Sequence, residues 1–240
     1  MSTLVMVHGF MGGSAQWEDQ RAALSDAFDV VTVDLPGFGA NAHMPAINSI
    51  GGFADWVIAH LRAQGIERYH LLGHSMGGMI VQDMVRKEAD RIDSLILYAT
   101  GAVGVLPGRF ETIAQSTARA LADGPAATAR RIAATWFLEN EQATGFAPCA
   151  EIAEQAGIEA ILAGLDAMEA WSGTDALSDI AAETLVIWGD RDRTYAWAQT
   201  YMLWTAIRQA SLAVVPGCAH AVHLEKSDMF NAILRDFLTR

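Results

Sequence analysis

The sequence predicts an α/β protein built as three layers around a mainly parallel sheet of about six strands, and three observations point there. Short aliphatic runs recur along the chain, each closed by a turn signal and followed by a longer stretch with helical spacing. The runs are apolar on successive residues and do not alternate, so helices should cover both faces of the sheet. The 240 residues, 52% hydrophobic and 18% charged, suffice for one sizeable core plus a small insertion, and exclude a disordered or collagen-like chain.

In order, the strand-like runs fall at residues 4–7, 30–33, 69–72, 95–98, 185–188 and 212–215. Residues 1–8 carry no basic leader and read as the first strand, not an export signal. Between residues 98 and 185 the rhythm breaks and three amphipathic patterns take its place. Phe110, Ile113, Ala114, Thr117, Ala118 and Leu121 share one helical face, opened by Pro107 and closed by Gly124. Ala129, Ile132, Ala133, Trp136 and Phe137 share a second, and Ile158, Ile161, Leu162, Leu165 and Met168 a third. Some 80 residues is far more than one crossover needs, so residues 103–180 are expected to form a helical cap over a discontinuous core of residues 1–102 and 181–240.

Charge and cysteine content narrow the function. Asp and Glu outnumber Lys and Arg by 28 to 16, for a formal charge of −12, which argues against nucleic acid and anionic membranes as partners. Uncharged stretches such as residues 69–82 and 209–224 are shorter than the roughly 20 apolar residues of a membrane helix. Cys149 and Cys218 are too few for a disulfide framework and lack zinc-site spacing, so a cytoplasmic location and no metal are expected.

The chemistry centres on residues 69–82, where a strand runs into Gly73-His74-Ser75-Met76-Gly77 and then into a helical pattern. A serine on so sharp a strand-to-helix turn needs glycine two residues either side, because the two backbones approach too closely for side chains. Its hydroxyl is a poor nucleophile at neutral pH and needs a base, itself oriented by a third group. Two later strand ends supply these: Gly189-Asp190-Arg191-Asp192, and Pro216-Gly217-Cys218-Ala219-His220 followed by His223. Asp192 is preferred over Asp190, which can cap its own turn, and His220 over His223, which enters the next helix. The remaining histidines, His8, His43, His60, His70 and His74, read as structural or exposed. The main-chain N–H of Met76, at a helix start, and that of Phe10, in the loop Val7-His8-Gly9-Phe10-Met11-Gly12-Gly13, are the expected donors to a carbonyl oxygen that becomes negative.

Together, His8-Gly9-Phe10, the segment from Asp34 to Gly39, Gly73-His-Ser-Met-Gly-Gly78, Gly189-Asp-Arg-Asp192 and His220 resemble the α/β-hydrolase superfamily across nearly the whole chain. Within it the chain is similar to small bacterial cap-bearing esterases and lactonases, such as 3-oxoadipate enol-lactonase and the cofactor-free haloperoxidases. The resemblance implies Ser75 as nucleophile, His220 as general base and then acid, Asp192 as its orienting carboxylate, and an oxyanion hole from Phe10 and Met76. No metal or organic cofactor is implied. Relatives usually begin with an antiparallel strand pair before the His-Gly loop, whereas here the loop's own strand comes first, so a trimmed, six-stranded sheet is expected. The Asp34 loop also has Ala40 and Asn41 where a serine often stands.

The expected substrate is a small, apolar ester or lactone, met by Phe10, Met11, Met76, Trp136, Phe137, Phe146, Trp171 and Trp197 at the mouth of a pocket. Ser75 argues against epoxide opening and dehalogenation, which need a carboxylate nucleophile. The alternatives are a C–C bond hydrolase or a triad-dependent lyase of the menaquinone-pathway type, acting on an anionic substrate. Either would recruit Arg109, Arg119, Arg130, Arg131 or Arg193, but Met79 stands after the double glycine where a cation would help. A non-catalytic ligand-binding protein on the same fold is a further alternative. The chain is expected as a monomer or a homodimer.

Overall fold

The computed structural model describes residues 1–107 and 111–240. Six parallel strands, β1 (Ser2–Val7), β2 (Phe28–Val33), β3 (Tyr69–His74), β4 (Ile92–Tyr98), β5 (Glu183–Gly189) and β6 (Ala210–Val215), form one sheet in the order β2-β1-β3-β4-β5-β6. Helices α1 (Glu18–Leu24), α2 (Ile50–Ala63) and α3 (Met76–Lys87) join the first four strands. Four more, α4 (Ile113–Asp123), α5 (Pro125–Thr135), α6 (Phe146–Ala153) and α7 (Ile158–Glu169), lie between β4 and β5. Helix α8 (Trp197–Ala206) precedes β6, and α9 (Val222–Glu225) and α10 (Ser227–Leu238) end the chain.

Strand residues divide by parity between two cores, as the period-two geometry of a strand requires. On one side Val5, Val7, Leu71, Leu95, Leu97 and Val186 pack with residues of α2, α3, the four helices between β4 and β5, and α8. On the other, Leu4, Met6, Leu72, Ile96, Tyr98 and Ile187 pack with Trp17, Leu24, Phe230, Leu234 and Phe237. Central strands are buried throughout their apolar stretches, whereas edge strands β2 and β6 are half-exposed.

In the segment between β4 and β5, α5 and its extension bury Ala129, Ile132, Ala133, Trp136 and Phe137 as one surface. The first helix differs from the expected face. Helix α4 starts at Ile113, where Thr112 and Gln115 cap each other's main chain, and it buries Ile113, Ser116 and Ala120, leaving Leu121 61% exposed. The cause is polar: Ser116 Oγ donates to the buried Glu111 carboxylate at 2.8 Å, which also pairs with Arg119 at 2.7 Å and Arg131 at 3.2 Å. Satisfying that carboxylate turns the helix away from its most apolar stripe. Phe110, assigned to this face, and Arg109 lie outside the described residues. Helix α6 was not anticipated, because Phe146, Cys149, Ala150 and Ala153 form too short a buried stripe to separate from a loop.

Candidate active site

The turn after β3 forces Ser75 to φ +56° and ψ −120°, backbone angles that a side chain rarely tolerates. Three hydrogen bonds hold it there: Ser75 N–H donates to Tyr98 O at 3.0 Å, and Ser75 O accepts from Gly78 N at 2.9 Å and Thr100 Oγ1 at 2.7 Å. The flanking glycines are obligatory. A Cβ on Gly77 would sit 2.3 Å from Val7 O, and one on Gly73 would sit 2.3 Å from Gly77 O.

Asp192 follows β5 in a turn that uses one of its own oxygens. Thr194 N and Tyr195 N donate to Oδ1 at 2.7 and 3.1 Å, which leaves Oδ2 for His220 Nδ1 at 2.9 Å. Both side chains of that pair are nearly sealed from solvent. Because the carboxylate accepts at both oxygens, the shared proton belongs to Nδ1 of the imidazole, and Nε2 keeps its lone pair free to act as a base. Asp190 does not cap its own turn: its carboxylate accepts from Gly217 N at 2.7 Å, in the loop after β6. His223 is buried behind the site, and burial pushes it down to about 3.

Ser75 and His220 line one cavity of about 50 Å³, with Phe10, Gly104, Leu106, Ile132, Thr135, Trp136, Met168, Thr194 and Tyr195 as its other walls. No Lys, Arg, Asp or Glu lines it among the described residues. Larger open depressions of about 620 and 640 Å³ near Phe28 and Leu212 lack Ser75 and His220. The loop after β1 is pinned from both sides: His8 Nε2 accepts from Leu35 N at 3.0 Å and Nδ1 lies 2.7 Å from Gly9 O, while Gly12 N donates to Gly9 O at 3.0 Å. Main-chain N–H groups of Phe10 and Met76 find no acceptor among the described residues.

Of the aromatic and methionine side chains expected around the pocket, Phe10 and Trp136 line the cavity and the others do not. Met76 and Met11 are sealed in the core, Met11 by its place in the loop turn at φ +59°. Phe137 is fully buried, Phe146 packs under the Arg130 guanidinium, and Trp171 Nε1 donates to Asp83 at 3.2 Å. Trp197 stands 44% exposed beside Trp188 and Tyr201. Of the arginines named for an anionic substrate, the four among the described residues are engaged elsewhere: Arg119 and Arg131 on Glu111, Arg130 on Glu154, and Arg193 on Asn140 and the carbonyls of Phe137 and Leu138. Sequence reasoning missed Gly104, Leu106, Ile132, Thr135, Met168, Thr194 and Tyr195 as pocket walls. Thr194 and Tyr195 carried a signal, standing two and three residues beyond Asp192 on the same loop.

A parallel six-stranded sheet with a strained serine after its third strand, and an Asp–His pair from the loops after its fifth and sixth, defines a class of protein before any comparison. The alpha/beta hydrolase fold model matches residues 2–227, and the chain belongs to that family. A curated relative from Agrobacterium fabrum, named "Putative carbamate hydrolase RutD", is 27% identical over 98% of this chain and 92% of its own length. The enol-lactonase from Burkholderia xenovorans LB400 superposes with a TM-score of 0.90 at 26% identity, over 100% of this chain and 92% of that one. A thermophilic esterase from Thermogutta terrifontis gives 0.89 at 26% identity, over 99% and 89%. Family and relatives support hydrolase chemistry. No helix among the described residues is long and apolar enough to cross a membrane.

Proposed function

We propose that the protein is a serine hydrolase that cleaves a small, uncharged carboxylic ester or lactone through an acyl-enzyme on Ser75. The observation that carries this reading is the 2.9 Å contact from His220 Nδ1 to Asp192 in a cavity wall that His220 shares with Ser75. His220 Nε2 takes the Ser75 proton as Oγ bonds to the substrate carbonyl carbon, and the carbonyl oxygen, now negative, is received by the N–H groups of Phe10 and Met76. The tetrahedral carbon then expels its alkoxide, which leaves as alcohol with the proton from His220. Water repeats the sequence on the acyl-serine and releases the acid.

Residues 103–180 act as the cap in this reading, since Ile132, Thr135, Trp136 and Met168 bring its helices to the cavity. The narrow cavity, of about 50 Å³, favours a short acyl group over a long one. The absence of charge from its walls among the described residues counts against the anionic C–C hydrolase and lyase alternatives, because a buried carboxylate would lack a cation there. A second reading, hydrolysis of a carbamate by the same steps, is favoured by the relatives named RutD. Turnover of p-nitrophenyl acetate, butyrate and octanoate beside a phenyl carbamate tests both. The ester reading expects acetate or butyrate to exceed octanoate in kcat/KM by at least about tenfold, or about 1.4 kcal/mol. A preference for octanoate, or for the carbamate over every ester, would defeat it.

A further inference from the structure

Packed against the imidazole of His220 lies a buried polar cluster that the acyl-transfer steps do not use. Its centre is Tyr98, the last residue of β4, which is paired in the sheet with His74 of β3. Tyr98 touches both halves of the proposed machinery. Its main-chain carbonyl accepts from Ser75 N–H at 3.0 Å, and its hydroxyl donates to the main-chain carbonyl of His220 at 2.9 Å. A second donor converges on that carbonyl: His74 Nε2 lies 3.2 Å from His220 O, with the His74 ring stacked on Tyr98 at 4.5 Å between centroids.

We propose that Tyr98 and His74 are positioning residues that fix the main chain of His220 relative to Ser75, and so set the distance over which the proton must travel. This inference rests on the serine-hydrolase reading above. Proton bookkeeping is consistent with it. The Tyr98 oxygen also lies 3.1 Å from His223 N and 2.9 Å from His223 Nδ1. A phenol has one hydrogen, so if that hydrogen goes to His220 O, both His223 groups must donate to the phenol oxygen. His223 then carries its proton on Nδ1, and Nε2, buried with no partner among the described residues, is a bare lone pair and not a stranded N–H. Two donations into the phenol oxygen strengthen its own donation onward.

Each group stays in the required protonation state. Burial raises the Tyr98 hydroxyl well above its ordinary value, so it remains a donor. Burial, followed by the neighbouring His220 and His223, drives His74 well below its ordinary value, so it is neutral and has a single N–H to offer. His223 is itself held from behind, where Gln20 Nε2 donates to its carbonyl at 2.9 Å and the Trp17 ring lies 4.5 Å away. The loop that carries His220 is thus tied to β3 and β4, and proton transfer depends on holding the reacting atoms in a narrow geometry.

The test uses the full-length protein, Tyr98→Phe, which removes one oxygen, and His74→Leu with His74→Gln as its donor-bearing counterpart. Hydrolysis of p-nitrophenyl acetate is normalised to the fraction of molecules labelled by a fluorophosphonate, so misfolded protein does not count. The expected result is a fall in kcat per labelled site of about ten- to hundredfold in Tyr98→Phe and His74→Leu, with KM within about twofold and partial recovery in His74→Gln. The downfield proton resonance of the His220–Asp192 hydrogen bond should shift with kcat. Should both variants keep kcat per site within about twofold, even with a lowered Tm, the cluster is merely structural and the proposal falls. Ser75→Ala run alongside separates the two failures: full turnover there would overturn the serine-hydrolase reading itself.

Discussion

Single residues carry the chemistry, and how readable each was in the sequence follows from how local its signal is. Ser75 was legible because its strained turn demands glycines at 73 and 77, which leaves a mark within five letters. Asp192 and His220 were legible only through their order and their places after strands, and geometry adds what letters lack: Asp192 spends one oxygen on Thr194 and Tyr195, and the other faces the imidazole. Tyr98 was invisible as more than a core residue, since its partners lie on other strands and loops. Two predictions belong at this scale. Ser75→Ala and His220→Ala should each cut kcat on p-nitrophenyl acetate by at least about 10⁴-fold with an unchanged circular dichroism spectrum. Asp192→Asn should cost about 10⁴-fold in kcat, because an amide favours the wrong imidazole tautomer, and near-normal turnover in either experiment would contradict the assigned roles.

Elements decide how closely those residues approach. Helix α3 crosses β1 and β3 at a spacing only glycine allows, so Gly77→Ala must displace the backbone of Val7 or His8. A loss of about 1–3 kcal/mol in urea unfolding is expected, with a drop in activity, because the same movement shifts the Ser75 turn. Stability and activity equal to the parent would show that the close approach is not real. Strand positions were readable from composition because a buried parallel strand is apolar on both faces. The helices between β4 and β5 were only partly readable. An amphipathic stripe identified α5 and α7, but the orientation of α4 depends on Glu111, whose partners stand on α4 and α5. Pocket walls were the least legible level. Of the large side chains expected there, Phe10 and Trp136 reach the cavity, because size and apolarity suit a core as well as a pocket.

For the molecule as a whole, the six-stranded sheet and its two cores follow from the strand pattern, and charge sets the response to pH. Burial pushes the Glu111 carboxyl up, but hydrogen bonds from Ser116 and Arg119 and the nearby Arg131 hold it, on balance, below its ordinary value. A carboxyl depressed in the folded state stabilises the fold above its unfolded-state value, and that stability is lost as pH falls through the folded value. Tm should therefore drop more steeply in the parent than in Glu111→Gln between about pH 5 and pH 3, and parallel curves would mean the cluster contributes nothing in solution. Most directly exposed to test is the convergence of Ser75, His220 and Asp192 from three loops. Peptide mapping by mass after fluorophosphonate treatment should find one adduct, on Ser75, forming at least about 10³-fold more slowly in His220→Ala. Labelling at another residue, or equal rates in parent and variant, would contradict it.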